Sequence, residues 1–224
     1  MSSADEPTTG EPAVDEPEAD ELRDGLVRAL ADELGQGVLA SHVIPGTDLW
    51  IRLDNAAWAE AGRVLRNKMG FGFFSWLSAI DWLPSPYGRS MDAVEDVAAG
   101  LVEAGPDDPG EIEQGVTGGE TRFQVIARLY SLHTHTGITV KADVADESPS
   151  IASWVSTFAG ADWHERETWE MFGIAFEGHP GLRHIYLPGD FEGHPLRKDY
   201  PLVSRIMKPW PGLVDVEAIP EMDA

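Results

Sequence analysis

Arg122-Phe123-Gln124-Val125-Ile126-Ala127-Arg128-Leu129-Tyr130 and Gly137-Ile138-Thr139-Val140-Lys141-Ala142-Asp143-Val144 decide the fold class. Both runs are rich in β-branched and aromatic residues, and Ser131–Thr136 between them has hairpin length, so two neighbouring antiparallel strands are expected. Upstream, Leu22, Leu26, Leu30 and Leu34 recur every four residues, which predicts a helix from about Glu18 with Gly35 and Gly37 as stop signals. Asp48–Asp54 reads as a short strand. Asn55 is placed to cap a second helix over 56–69, with Trp58, Ala61, Leu65 and Met69 on one face. Leu77–Trp82 suits a buried strand that Pro84 and Pro86 stop.

Downstream, Pro149 is expected to open a helix carrying Ile151, Trp154, Val155 and Phe158, and Asp162 to cap another over 163–172. Beyond Gly173, glycine and proline recur too often for regular structure. The class is therefore α+β: a small mixed or antiparallel sheet with flanking helices, followed by an extended C-terminal arm. The expected division is a disordered acidic tail at 1–17, an α+β domain at 18–160, a helix plus partner-binding arm at 161–210, and a second acidic tail at 211–224. Within the domain, 84–119 reads as a long acidic loop with one helical turn around Ala93–Val102.

The net charge of −23 is concentrated in three segments. Residues 1–21, 91–120 and 211–224 carry eight, nine and four acids and no base, which is 21 of the 23 charges. The rest is near neutral, so the acidic segments read as solvated tails and a surface loop. No basic face is left for phosphate contacts, which disfavours nucleic acid as a partner. Zero cysteines leave no thiolate for zinc or for an iron–sulfur cluster. The acidic start is the opposite of a secretory leader, so an intracellular protein is expected. Met69–Ile80, the longest uncharged apolar stretch, is shorter than the roughly 20 residues a membrane helix needs, so membrane association is expected only through partners.

Four of the seven histidines, His164, His179, His184 and His194, fall in or after the predicted last helix. His164-Glu165 opens like a zincin helix, but the second ligand position is Thr168, and the i, i+4 pair is missing. Glu167 and Glu170 are i, i+3 neighbours that could share a metal or a proton, or pair with Arg183 or Arg197 returning from the arm. The arm writes nearly the same phrase twice, Glu177-Gly178-His179-Pro180 and Glu192-Gly193-His194-Pro195. Proline holds each histidine extended and glycine admits an unusual conformation before it, a pattern that fixes a backbone path. Histidines bonded to backbone at turns and histidines gathered on a metal are the two readings. No phosphate loop or nucleophile elbow is present, and the tryptophans at 154, 163 and 169 read as core or interface anchors. A segment of this kind becomes ordered by docking on something else.

Glu165-Arg166-Glu167-Thr168-Trp169-Glu170-Met171-Phe172-Gly173-Ile174, then Phe176-Glu177-Gly178-His179-Pro180, then Phe191-Glu192-Gly193-His194-Pro195-Leu196-Arg197-Lys198-Asp199-Tyr200-Pro201 resembles the signature of one family. That family is the C subunit of proton-pumping NADH:quinone oxidoreductase, respiratory complex I, to which the mitochondrial 30 kDa subunit belongs. A weaker likeness reaches back through Leu77–Asp81 and the strand pair. Where the family usually has Tyr-Asp or a similar pair, this chain has Trp169-Glu170. The resemblance implies a non-redox structural and assembly subunit with no catalytic, cofactor-binding or metal-binding residue of its own. FMN and iron–sulfur clusters would sit on partner subunits. The partners implied are the quinone-site D subunit and the iron–sulfur B and I subunits, on the cytoplasmic side of a bacterial plasma membrane. The interface is expected to use Glu165, Arg166, Glu167, Trp169, Phe172, His179, Arg183, His194, Arg197, Lys198, Asp199 and Tyr200. The rival readings are the equivalent subunit of a related membrane-bound hydrogenase or other-donor dehydrogenase, and a stand-alone metal-dependent hydrolase.

Overall fold

The two deciding strands pair as expected. In the computed structural model, which describes residues 20–84 and 111–200, they are Phe123–Ser131 and Thr136–Val144, antiparallel through nine residue pairs. The elements in chain order are α1 (Glu21–Leu34), β1 (Val38–Ile44), β2 (Asp48–Leu53), α2 (Trp58–Asn67), β3 (Phe73–Asp81), β4 (Phe123–Ser131), β5 (Thr136–Val144), β6 (Ser150–Ala152), α3 (Ala161–Phe172) and β7 (Ala175–Glu177). Five strands form one mixed sheet in the order β1-β2-β5-β4-β3, in which only the β2–β5 pair is parallel. A second, two-stranded parallel sheet joins β6 to β7. The α+β class holds.

Alternation along the strands explains the core. Leu49, Ile51 and Leu53 from β2, Val125, Ala127 and Leu129 from β4, and Ile138, Val140 and Ala142 from β5 share one face and are buried together. Trp58 and Leu65 of α2 and Leu30 of α1 close that face. The Trp58 and Trp154 rings stack at 4.3 Å, and the Trp154 indole N–H donates to the Trp58 carbonyl at 2.9 Å. Each such buried side chain contributes about 1.5–3 kcal/mol through loss of apolar surface to water. The opposite face is polar where 111–121 crosses it. Asp143 there accepts from Arg52 at 2.8 Å and from Gln124 at 2.6 Å. Lys141 is also buried on this face, with its ammonium 5.8 Å from the centre of the Trp82 ring. Burial lowers its pKa to about 8.

Several local expectations are corrected. The helix expected from Pro149 is instead the strand β6 followed by a turn at 153–158. Ile151, Trp154, Val155 and Phe158 imitate helical spacing because a strand residue and the turn after it all point into one core. Ser153 N–H donates to the Glu177 carbonyl and Ala175 N–H to the Pro149 carbonyl, which fixes β6 beside β7. β1 has no counterpart among the expected strands; it is an edge strand of half-buried and exposed residues, without regular alternation, right after the Gly35–Gly37 turn. The approach to α2 is capped by Asp54, whose side chain accepts from Ala56 N–H, while Asn55 donates to the carbonyls of Asp143 and Ser150. Asp162 lies inside the first turn of α3, whose N-cap is Gly160. Leu22 is exposed rather than part of the α1 core face. The tails at 1–17 and 211–224 and the turn at 93–102 lie outside the described residues; of the 84–119 loop, 111–119 contains neither helix nor strand.

Candidate functional site: the arm clasped to the last helix

Helix α3 is unusual in burying charge. Glu165, Arg166 and Glu170 are all buried, together with Ala161, Thr168 and Phe172. Charged groups persist in such places only with partners. Glu165 accepts from the Trp154 backbone N–H and the Ser153 hydroxyl, each at 2.6 Å. Those donors are neutral, and burial pushes its carboxyl up to about 7. Arg166 pairs with Asp162 one turn earlier at 2.7 Å and lies 5.3 Å from the centre of the Trp163 ring. His164 reaches the Leu77 carbonyl on the free edge of β3 at 3.1 Å, which seats the helix against that edge.

Glu170 is the hub. Its carboxylate receives the backbone N–H groups of Ile185, Tyr186 and Leu187, three consecutive residues of the arm, at 2.9, 3.2 and 2.6 Å. His184 Nδ1 lies 3.1 Å away. Burial alone would raise the pKa of this carboxyl, but the three amides and His184 outweigh it and hold it below the ordinary glutamate value.

The doubled Gly-His-Pro phrase lies along the same helix. Gly178 and Gly193 both adopt positive φ, +83° and +97°, which glycine alone accepts without strain. After the first, His179 Nε2 meets the Asp162 carbonyl at 3.2 Å, at the start of α3. Its Nδ1 accepts from Gly181 N–H at 3.0 Å. After the second, His194 Nδ1 donates to the Glu170 carbonyl at 2.9 Å, at the end of α3. Leu196 N–H then donates to the Met171 carbonyl and Arg197 Nε to the Phe172 carbonyl. These are the orphan carbonyls every helix leaves at its C-terminus, here satisfied by the arm. Gly173 ends α3 in the left-handed conformation, and a Cβ there would stand 2.5 Å from His194 Nε2 and Arg197 Nη2.

The arm ends at a second attachment. Asp81, fully buried at the end of β3, holds Arg122 in a two-pronged pair at 2.8 and 2.6 Å and accepts Lys198 N–H at 2.7 Å. Arg122 also pairs with Asp199 at 2.9 Å. Hydrogen bonding to Asp81 raises the Arg122 pKa further, and Arg122 in turn lowers that of Asp199. The Arg197 guanidinium sits 5.0 Å over the Phe123 ring, and burial lowers its pKa. Tyr200 lies beside Phe191, ring centres 6.1 Å apart.

Of the residues expected at a partner interface, Glu165, Arg166 and Phe172 are interior, while Trp169 is half-buried beside His184, rings 5.1 Å apart. His179, His194, Arg197, Lys198 and Asp199 fasten the arm to its own domain, while Tyr200 packs within the arm beside Phe191. Arg183 is exposed, Glu167 is half-exposed, and neither has an ion-pair partner among the described residues. The returning arginine expected for Glu170 is replaced by backbone amides, because Arg197 goes to the Phe172 carbonyl. Residue types at single positions did not single out Asp81 and Arg122 as the second attachment. The one signal was an acid closing an apolar strand, Leu77–Asp81. His179 and His194 bond backbone carbonyls, and His184 bonds Glu170. Among the described residues no group of three or more His, Cys, Asp or Glu could hold a metal ion, and no helix is long and apolar enough to cross a membrane. The geometry is that of attachment.

Residues 51–205 match the family described as respiratory-chain NADH dehydrogenase, 30 Kd subunit. The C subunit of NADH-quinone oxidoreductase from Xanthomonas campestris is 32% identical over 76% of this chain and 74% of its own length. The C subunit from Roseiflexus sp. is 49% identical over 38% of this chain, which spans about half the length of that relative, 49%. A protein named as a C/D subunit in Klebsiella pneumoniae matches 35% of this chain at 47% identity and is covered over 13% of its length. In fold alone, the chain is similar to one from the membrane-bound sulfane sulfur reductase, an archaeal respiratory membrane complex, at 15% identity, TM-score 0.59, covering 90% of this chain and 98% of that one.

Proposed function

Because the chain belongs to the 30 kDa subunit family of respiratory-chain NADH dehydrogenase, we propose that it is a structural and assembly subunit of an NADH:quinone oxidoreductase. That complex would pass electrons from NADH to quinone and couple this to proton translocation. The observation that carries the reading is the use made of the signature residues. Glu165, Glu170, His179, His194 and Arg197 each hold backbone of this chain in place. FMN and the iron–sulfur clusters belong to partner subunits in this reading, since a chain without cysteine has no thiolate to ligate a cluster.

The leading partner is the quinone-site D subunit, with the iron–sulfur B and I subunits as further neighbours. Support comes from relatives in which a stretch similar to part of this chain lies in a protein named as a C/D subunit. The residues offered to a partner are those the fold leaves outward: Glu167, Arg183 and Lys198, beside Trp163 and Tyr186, each 64% exposed. The site of action is the cytoplasmic face of a bacterial plasma membrane, reached through the partners. Mass spectrometry of proteins that copurify with the tagged chain from gently solubilised membranes tests this. Recovery of the D, B and I subunits supports the assignment; recovery of hydrogenase subunits, or of none, overturns it.

A further inference from the structure

Nearly everything that holds residues 178–200 to the body is a polar contact. No described residue after Phe176 belongs to the buried apolar core, and within the arm only Leu182 packs against that core from outside. The arm is held instead at two places. The first is α3, through the Glu170 carboxylate and the carbonyls of Asp162, Glu170, Met171 and Phe172. The second is the Asp81–Arg122 pair, through Lys198 N–H and Asp199. Gly178, at positive φ directly after β7, stands between the arm and the sheet that precedes it. Segments with few buried apolar contacts, held chiefly by hydrogen bonds near the surface, open at a lower free energy than the core.

We propose that residues 178–200 form a strap that lifts from the body as one unit, turning at Gly178, while the sheet and α1–α3 stay folded. The Glu170 carboxylate is its main latch, and Asp81–Arg122 its second. Opening would strip Glu170 of three amide donors at once. It would also bare the carbonyls of the last turn of α3, leaving a strongly acceptor-rich surface for a basic or amide-rich segment of a neighbour. The two attachments share one short stretch of chain, so weakening either loosens both. Strap opening is a property of the isolated chain and does not depend on which complex the chain serves.

Hydrogen exchange on the full-length chain, read residue by residue, tests it. The reporters are the amides of Ile185, Leu187, Leu196 and Lys198, whose acceptors lie on the body. The controls are the amides of Val125 and Val140 within the paired strands β4 and β5. The four reporters are expected to exchange at a common rate, faster than the controls. Glu170→Gln should accelerate all four on the order of tenfold or more, Lys198 at the far latch included, and leave the controls unchanged. An unchanged Lys198 would overturn the single unit, and controls accelerated as much as the reporters would overturn separate opening. If Glu170→Gln does not fold, His194→Gln, which removes only the ring bond to the Glu170 carbonyl, gives the same reading.

Discussion

His179 and His194 grip one helix at opposite ends. The first bonds the Asp162 carbonyl in the opening turn of α3, and the second bonds the Glu170 carbonyl in its closing turn. A phrase written twice in the sequence thus becomes two fastenings on one element. The glycine before each histidine supplies the bend, and the ring supplies the bond.

Gly173 is the point where the helix end and the arm come closest. With φ at +72° and no room for a Cβ beside His194 and Arg197, Gly173→Ala carries both a left-handed backbone penalty and a clash. The expected loss is about 2 kcal/mol or more by denaturant titration. A loss below roughly 0.5 kcal/mol, typical of surface substitutions, would show that the arm yields freely there.

Asp81 and Arg122 form a pair in which Asp81 is fully buried. Removing one partner strands the other's charge, so Asp81→Ala is expected to cost about 3–5 kcal/mol. The Asp81→Ala/Arg122→Ala double variant should cost less than the sum of the singles. Strict additivity in the double-mutant cycle would show that the two do not act together.

Glu165 gives a pH dependence of definite sign. Its folded pKa, about 7, stands above the unfolded value of 4.5, so the folded state binds the proton more tightly. The stability this contributes is complete below pH 4.5 and is lost as pH rises through 7, by about 3 kcal/mol in all. Glu165→Gln should flatten the stability–pH curve between about pH 5 and 8. An unchanged slope would assign the effect to another group.

Lys141 behaves in the opposite way. Burial lowers its pKa from 10.5 to about 8, so its charge opposes folding at neutral pH, and that penalty fades as pH rises from 8 through 10.5. Lys141→Met, close in volume and uncharged, is expected to stabilise the chain at about pH 7 by about 1–2 kcal/mol. The gain should shrink by about pH 10. Destabilisation at neutral pH would show that the ammonium is well solvated in place.

Glu167 and Arg197 separate surface from scaffold. Glu167→Ala should leave the stability of the isolated chain within roughly 0.5 kcal/mol and still lower the yield of copurifying subunits. Arg197→Ala removes the bond to the Phe172 carbonyl and the stacking on Phe123, and should lower both. Full assembly with Glu167→Ala, judged on native gels, would take that residue out of the partner surface.

Much of the fold was legible because alternation and spacing are local. β2, β3, β4, β5, α1, α2 and α3 follow from strand alternation at Leu49–Leu53 and Val125–Leu129, and from four-residue spacing in α1. Local reasoning failed at 149–158, where Ile151, Trp154 and Phe158 have helical spacing but are held by β7 and Glu165, elements that arrive later in the chain. It also missed β1, whose partial burial leaves no clear alternation.

The sequence by itself determined the composition of the arm, its two glycine bends, the strand pair and the charged helix before the arm. All of these depend on residues close in the chain and on backbone conformations that only glycine and proline impose. Only the tertiary structure decided what the arm is fastened to. A carboxylate can take a metal, a proton, an arginine or three amides, and the choice depends on what the fold brings within about 3 Å. At Glu170 that was the backbone of residues 185–187, and at Asp81 it was Arg122 and Lys198.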